Sequence, residues 1–340
     1  MSSSTRLIVI GVGRWGQELA RTVARLRGVE LSGLFDANAA LARSTAGALG
    51  VAALTSLEEV IDARPDGVVV ATPDNAHREP VTRLLEAGIH VLVEKPIATT
   101  VEDARAMIAA ARASRGSLSV GHILRFDPRY IAVRDAVASG RLGDVVHVLA
   151  TRENLKEHGL RRAQTTTVEA FLGIHDVDAI QWITGRRVAR VYAVGASRVY
   201  AAHGRNDTTV ATLEMEGGAV GSVTSSWALP DRSGSMIDAS LEVVGTRGSA
   251  RIAMRDFGLR ITTEEAGDSF PNPAGVDVHG LATGALADEL AHFARVTRGE
   301  AAPMATAQEA FDALVVVLAM ERSLERRSVV DVHAGAEVGR

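Results

Sequence analysis

Short apolar runs alternate with helical periodicities through the first third of the chain. Leu7-Ile8-Val9-Ile10 is continuous apolar sequence, as a parallel strand buried on both faces requires. Leu19, Val23 and Leu26, with Ala20 beside them, recur at helical spacing, and Val29 to Phe35 reads as the next strand. The grammar then repeats. Asn38 to Leu49 is a small-residue helix, and Ser56 caps a short one from Leu57 to Ala63. Gly67 to Ala71 is a third core strand stopped by Thr72-Pro73, followed by a helix that turns Val81, Leu84 and Leu85 inward. Ile89 to Val93 is a fourth strand. Thr100 caps a helix with Met107, Ile108 and Ala111 on its inner face, and Leu118 to Gly121 is a fifth strand. This alternation predicts a doubly wound parallel sheet with crossover helices.

From about Phe126 the pattern changes. A helix from Asp127 to Ser139 leads into a strand, Val145 to Leu149, and a second helix runs from Ile174 to Thr184. Long alternating stretches follow: Val188 to Ser197, Thr208 to Glu214, Ala219 to Ser226, Leu241 to Val244 and Ala250 to Met254. Such alternation fits an antiparallel sheet with one covered face. Gly267 to Val278, with Pro271 and Pro273, reads as an exposed loop, and helices at Leu281–Arg298 and Thr306–Arg326 close the sequence. The expectation is an α/β chain of two domains, 1–125 and 126–340, the second built on a large, mainly antiparallel open sheet.

Composition narrows the function. At 340 residues the chain is too long for one ordinary core. A net charge of −4, with arginines scattered rather than striped, argues against nucleic acid. The absence of cysteine excludes thiolate metal sites and a cysteine nucleophile. The polar start Met1-Ser2-Ser3-Ser4-Thr5-Arg6 and the lack of a long apolar stretch make a cytoplasmic, membrane-free protein the expectation.

The chemistry begins where the first strand ends. Gly11-Val12-Gly13-Arg14-Trp15-Gly16 is a full G-x-G-x-x-G between strand and helix, and the second strand ends on Asp36, 20 residues past Gly16. Gly11 permits the tight turn, Gly13 lets backbone approach a pyrophosphate, and Gly16 lets helix pack on strand. Trp15, inside the turn, covers the cofactor or packs on its rim. Asp36 would accept hydrogen bonds from an adenosine ribose and repel a 2′-phosphate, so NAD is expected and NADP disfavoured. In an open parallel sheet, ligands sit beyond the carboxyl ends of the strands. Ala71, Thr72, Pro73, Asn75 and His77 fall there after the third strand, and Glu94-Lys95-Pro96 after the fourth.

These elements, with Gly121 to Pro128 at the domain junction and Gly173-Ile174-His175-Asp176-Val177-Asp178, resemble the Gfo/Idh/MocA oxidoreductases over essentially the whole length. The resemblance implies an N-terminal Rossmann domain and a C-terminal α/β domain whose open sheet often forms an oligomer interface, hence a homodimer or homotetramer. It also implies nicotinamide-dependent chemistry at a sugar or cyclitol carbon. Gly11, Gly13, Gly16 and Asp36 match the family's cofactor positions, as do Thr72, Asn75, His77 and Glu94; Lys95 matches its catalytic lysine and His175 its active-site histidine. In a helix, His175 and Asp178 share a face, so Asp178 could fix the imidazole. Many members carry an acid four residues before that histidine; here the position is Phe171, and Glu169 stands two residues earlier. Arg125 is a candidate for a substrate or cofactor phosphate, and it is equally readable as a structural clamp. Arg152, Asn154, Lys156, His158, Arg161 and Arg162 read as a polar loop over the substrate or as a solvated charge run. No metal site is expected, because His175 and Asp178 find no further ligands at compatible spacing. The leading expectation is an NAD-dependent dehydrogenase of a sugar, inositol-like cyclitol or aminocyclitol, with Lys95 and His175 as acid and base. The alternatives are an oxidoreductive glycosidase of the same fold and a catalytically silent NAD-binding regulator.

Overall fold

The computed structural model describes residues 4–233, 235–254, 261–263, 267–269 and 276–333. The chain folds into two compact units, Met1–Asp127 with Pro273–Phe311, and Pro128–Asn272 with Asp312–Arg340.

The first unit holds a six-stranded parallel sheet. Its strands are β1 (Thr5–Ile10), β2 (Val29–Phe35), β3 (Ala52–Leu54), β4 (Gly67–Val70), β5 (His90–Glu94) and β6 (Leu118–Gly121), in spatial order β3-β2-β1-β4-β5-β6. That order reverses direction between β1 and β4, which places a crevice beyond their carboxyl ends. Crossovers run through α1 (Arg14–Val23), α2 (Ala39–Leu49), α3 (Leu57–Asp62), α4 (Arg78–Glu86) and α5 (Val101–Ala113). Polar caps set three of these starts: Asn38, Ser56 and Thr100 side chains accept from the backbone N–H three residues on. The short β3 is an addition to the five strands read from the sequence, because three residues are too few to show a period.

The second unit begins with α6 (Pro128–Ala138), β7 (Val145–Leu155), α7 (Lys156–Arg162) and α8 (Ile174–Thr184). Its sheet continues with β8 (Val188–Ala196), β9 (Thr208–Met215), β10 (Val220–Leu229), β11 (Ile237–Gly245) and β12 (Ser249–Ala253). The strand order is β12-β11-β7-β10-β9-β8-β17 once β17 (Val330–Asp331) is added at the edge. Every pairing is antiparallel except β7 with β10. One face is covered: Thr209, Ala211, Leu213 and Met215 of β9 are buried, while Val210, Thr212 and Glu214 between them point away.

Two expectations need correction. The stretch 267–278 was expected as a loop, yet β13 (Ile261–Thr263) pairs with β14 (Gly267–Ser269), and β15 (Val276–Val278) with β16 (Leu281–Thr283). Strands of three residues leave no readable alternation; residues 270–275 lie outside the described residues. The next helix accordingly starts at Ala285, not Leu281: α9 runs Ala285–Thr297 and α10 Ala307–Arg326. Thr306 and Glu309 form a capping box for α10, with Thr306 Oγ1 accepting from Glu309 N at 3.2 Å and Glu309 Oε2 accepting from Thr306 N at 3.0 Å.

Helix α9 belongs to the first unit, where Leu286, Leu290, Phe293 and Val296 join Leu7, Val9, Leu19, Leu34 and Leu92 in one core. A Cβ on Gly67 would stand 2.9 Å from the Phe293 ring, so that ring seats against bare β4 backbone. Among the described residues no helix is long and apolar enough to cross a membrane.

Candidate active site

In the first unit the phosphate turn is built by contact. Gly11 has φ +83°, and a Cβ there would lie 2.6 Å from the Ala71 carbonyl. A Cβ on Gly16 would lie 1.8 Å from Gly11 O, so α1 can start this close to the strand only with glycine. Around Gly13, by contrast, a Cβ would meet nothing within 4 Å. The turn is tight against protein on two sides and open on the third, at the N-terminus of α1, which is the space a pyrophosphate requires. Asp36 organises the same turn: Oδ2 accepts from Val12 N at 2.7 Å and Oδ1 from Asn38 N at 2.8 Å. A carboxylate has about four lone-pair sites, so acceptor capacity remains for two ribose hydroxyls. Arg14 stands exposed at the first position of α1.

Trp15 reaches across the turn. Its Nε1 donates to Glu94 Oε1 at 2.7 Å, tying the phosphate turn to the end of β5, and Glu94 Oε2 accepts from Lys95 N at 3.2 Å. Burial pushes the Glu94 carboxyl up, against the opposing pull of Trp15 and Lys95. Lys95 is half-buried, and the Lys95–Pro96 bond is cis. Ala71 and Thr72 are half-buried at the end of β4, while Pro73 and Asn75 are exposed.

His77, expected beside the cofactor, is buried beneath these turns. Its Nδ1 lies 3.1 Å from Pro96 O and 3.2 Å from Ile97 O, and its Nε2 lies 3.1 Å from Thr72 O. Burial holds its pKa down, with Asp74 working the other way. The ring braces the two turns against one another. Arg125 is likewise buried: Nη1 donates to Met304 O at 2.9 Å and to Glu309 Oε1 at 3.0 Å. Of its two sequence readings, the clamp describes this environment.

Behind Glu94 sits an acid that sequence reasoning missed. Glu289 of α9 is 2% exposed, and with Ser119 and Leu92 it lines a cavity of about 10 Å³, room for one water. Burial raises its carboxyl well above the usual range, and the charge of Glu94 adds to the effect. Its helical spacing resembles that of any exposed acid, so no sequence signal marked it.

In the second unit, the expected polar loop divides into strand and helix. Arg152 and Asn154 are buried on β7, which runs on to Leu155, and Lys156 to Arg162 form α7. Arg152 makes a two-pronged ion pair with Asp176 at the start of α8: Nε to Oδ2 and Nη2 to Oδ1, both 2.9 Å, with Nη2 also 3.3 Å from the Tyr130 hydroxyl. Burial pushes Asp176 up and the guanidinium opposes it, while Asp176 holds Arg152 firmly protonated against its own burial. The pair pins α8 to the sheet, and α8 carries His175, half-buried, and Asp178, buried one turn on.

A π-helical turn, Glu169–Gly173, precedes α8 and carries Phe171. That ring packs 5.9 Å from the Trp227 ring, and the Arg162 guanidinium lies 4.9 Å above it. Glu169 is buried and accepts from Thr209 Oγ1, so its carboxylate serves the sheet rather than standing in for the missing acid.

Comparison with known proteins gives this geometry a context. Residues 5–122 match the GFO_IDH_MocA model, described as "Oxidoreductase family, NAD-binding Rossmann fold", and residues 130–251 match the "GFO/IDH/MocA C-terminal domain". An inositol 2-dehydrogenase of Rhizobium meliloti (strain 1021) is 28% identical over 97% of this chain and 99% of its own. A 1,5-anhydro-D-fructose reductase of Ensifer adhaerens is 27% identical over 95% of this chain and 100% of its own. The scyllo-inositol dehydrogenase of Lactobacillus casei, solved with NAD(H) and scyllo-inositol, shares the fold at a TM-score of 0.84, with 21% identity over 97% of this chain and 100% of that one.

Proposed function

The chain belongs to the Gfo/Idh/MocA family of NAD-binding oxidoreductases, and we propose from that premise that it is an NAD-preferring dehydrogenase of a secondary alcohol on a sugar, cyclitol or aminocyclitol. One observation carries the reading: Trp15 of the phosphate turn is bonded to Glu94, the neighbour of Lys95. Cofactor-binding backbone and a half-buried amine thus share one braced crevice edge.

The bound nicotinamide supplies the two-electron acceptor for a carbinol carbon. The chain's own residues align the substrate and manage one proton. Lys95 and His175 form the acid/base pair at the reacting hydroxyl, with Asp178 holding the imidazole. Arg152 acts through Asp176 to position α8, and Arg125 and His77 position the turns rather than touch substrate. Asp36 selects NAD through its charge at the ribose. In this reading residues 1–125 carry the cofactor, and residues 126–340 carry the substrate and the contact between copies, made through the open face of the second sheet.

The test is a sugar, inositol and aminocyclitol panel followed by NADH absorbance. Wild type should produce NADH with at least one member, and Lys95→Ala should lose at least a hundredfold in kcat with NAD binding retained. Near-normal turnover in Lys95→Ala defeats the assignment of Lys95. NAD binding without turnover on any panel member favours the silent regulator, and sugar release without net NADH favours the glycosidase.

A further inference from the structure

We propose that the second unit carries a separate pocket for a small, multiply charged oxyanion, a phosphate monoester or a polycarboxylate. The pocket lies where the ends of α6 and α8 meet the β11–β12 turn, and its volume is about 510 Å³, well inside the range of small-molecule sites. Its charged lining is Arg134, Arg186 and Arg247 against the single acid Asp144, in a chain whose net charge is −4. None of the residues assigned above to hydride transfer lines it.

The arginines gather here for a local reason and keep capacity to spare. Helices α6 and α8 both end at this pocket, and their terminal carbonyls draw cations. Arg247 donates Nη2 to Gly140 O, just past α6, and Arg186 donates Nη1 to Glu216 O at 3.3 Å. Each of these bonds uses one of five N–H donors on a planar fork suited to oxyanions. Arg134 lies 4.9 Å over the half-buried Trp182 ring, a cation–π contact that restrains its guanidinium before a ligand arrives and so lowers the entropic cost of binding. Arginines with only a capping role would close over the helix ends; these line a space large enough for a ligand of several carbons. A neutral polyol would find one carboxylate to accept its hydroxyls, whereas an anion with two or more charges finds three guanidinium groups.

The test uses the full chain saturated with NAD, so that its phosphate turn is occupied. Glucose 6-phosphate, citrate and inorganic phosphate are titrated by calorimetry and by tryptophan fluorescence, with glucose as the neutral control. Saturable binding of glucose 6-phosphate or citrate is expected, weakened at least tenfold in Arg134→Gln and in Arg186→Gln at unchanged Tm, and weakened by added salt. The fluorescence change should vanish in Trp182→Phe while calorimetric binding persists. Preference for glucose 6-phosphate identifies a phosphate ester as the ligand chemistry, and preference for citrate a polycarboxylate. No saturable binding by any of the anions, binding indifferent to both arginine variants, or equal binding of glucose would overturn the proposal.

Discussion

Asp36 and Glu289 show what single side chains do here. Asp36 spends a lone pair of each oxygen on the backbone of its own crevice, at Val12 and Asn38, and each oxygen keeps a further lone pair. Asp36→Ser should therefore weaken NAD by at least tenfold and raise the NADP-to-NAD ratio of kcat/KM; equal use of both cofactors by wild type would remove the selection argument. Glu289 makes a pH prediction whose sign is fixed. Its native pKa lies well above the unperturbed value of about 4.5, so between the two the native state keeps a proton that the unfolded chain has released. Stability from this group is complete below about pH 4.5 and falls as pH rises through the native value. Glu289→Gln should flatten that slope, raising Tm relative to wild type at the alkaline end of a pH 5 to 9 thermal series. Parallel curves for the two proteins would show that the buried acid has no such role.

At the scale of elements, the Arg152–Asp176 pair fixes α8 on the sheet. Removing one partner leaves a buried charge unpaired, so Arg152→Met or Asp176→Asn should each cost about 3–5 kcal/mol of unfolding free energy in urea. The double replacement Arg152→Met with Asp176→Leu should cost clearly less than the sum, and strict additivity would refute a coupled pair. This pair also marks the limit of legibility. Elements with an apolar run and a local stop were readable: β1, β4, β5 and α8 stand where the pattern put them, and the phosphate turn was explicit in its glycines. Arg152 looked like loop because its partner is 24 positions away, and only folding brings the acid that lets a charge enter a strand. The π-turn before α8 was hidden for a related reason. Nothing in Glu169 to Gly173 marks it locally, and the contacts its residues make, Phe171 with Trp227 and Glu169 with Thr209, are all distant in sequence.

For the whole molecule, the proposed contact between copies would lie on the open face of the second sheet. Cross-strand rows on that face set Tyr192 beside Thr212, Ser222 and Leu149, and Val194 beside Val210, Thr224 and Thr151. Tyr192, Leu149, Val194 and Val210 are 39, 44, 51 and 43% exposed, a contiguous uncharged strip of the kind that copies cover. The double variant Val194→Glu with Val210→Glu should shift sedimentation to the monomer without loss of secondary structure. A wild type that already sediments as a monomer at micromolar concentration would dismiss the interface. The late arrival of α9 has a consequence of another kind. A ribosome delivers all six strands of the first sheet by residue 121, yet Leu290 and Phe293, which complete its hydrophobic cover, emerge some 170 positions later. During synthesis the nascent sheet must wait with the bare backbone of β4 unsealed, and the amino-terminal unit becomes a finished body only once α9 has emerged.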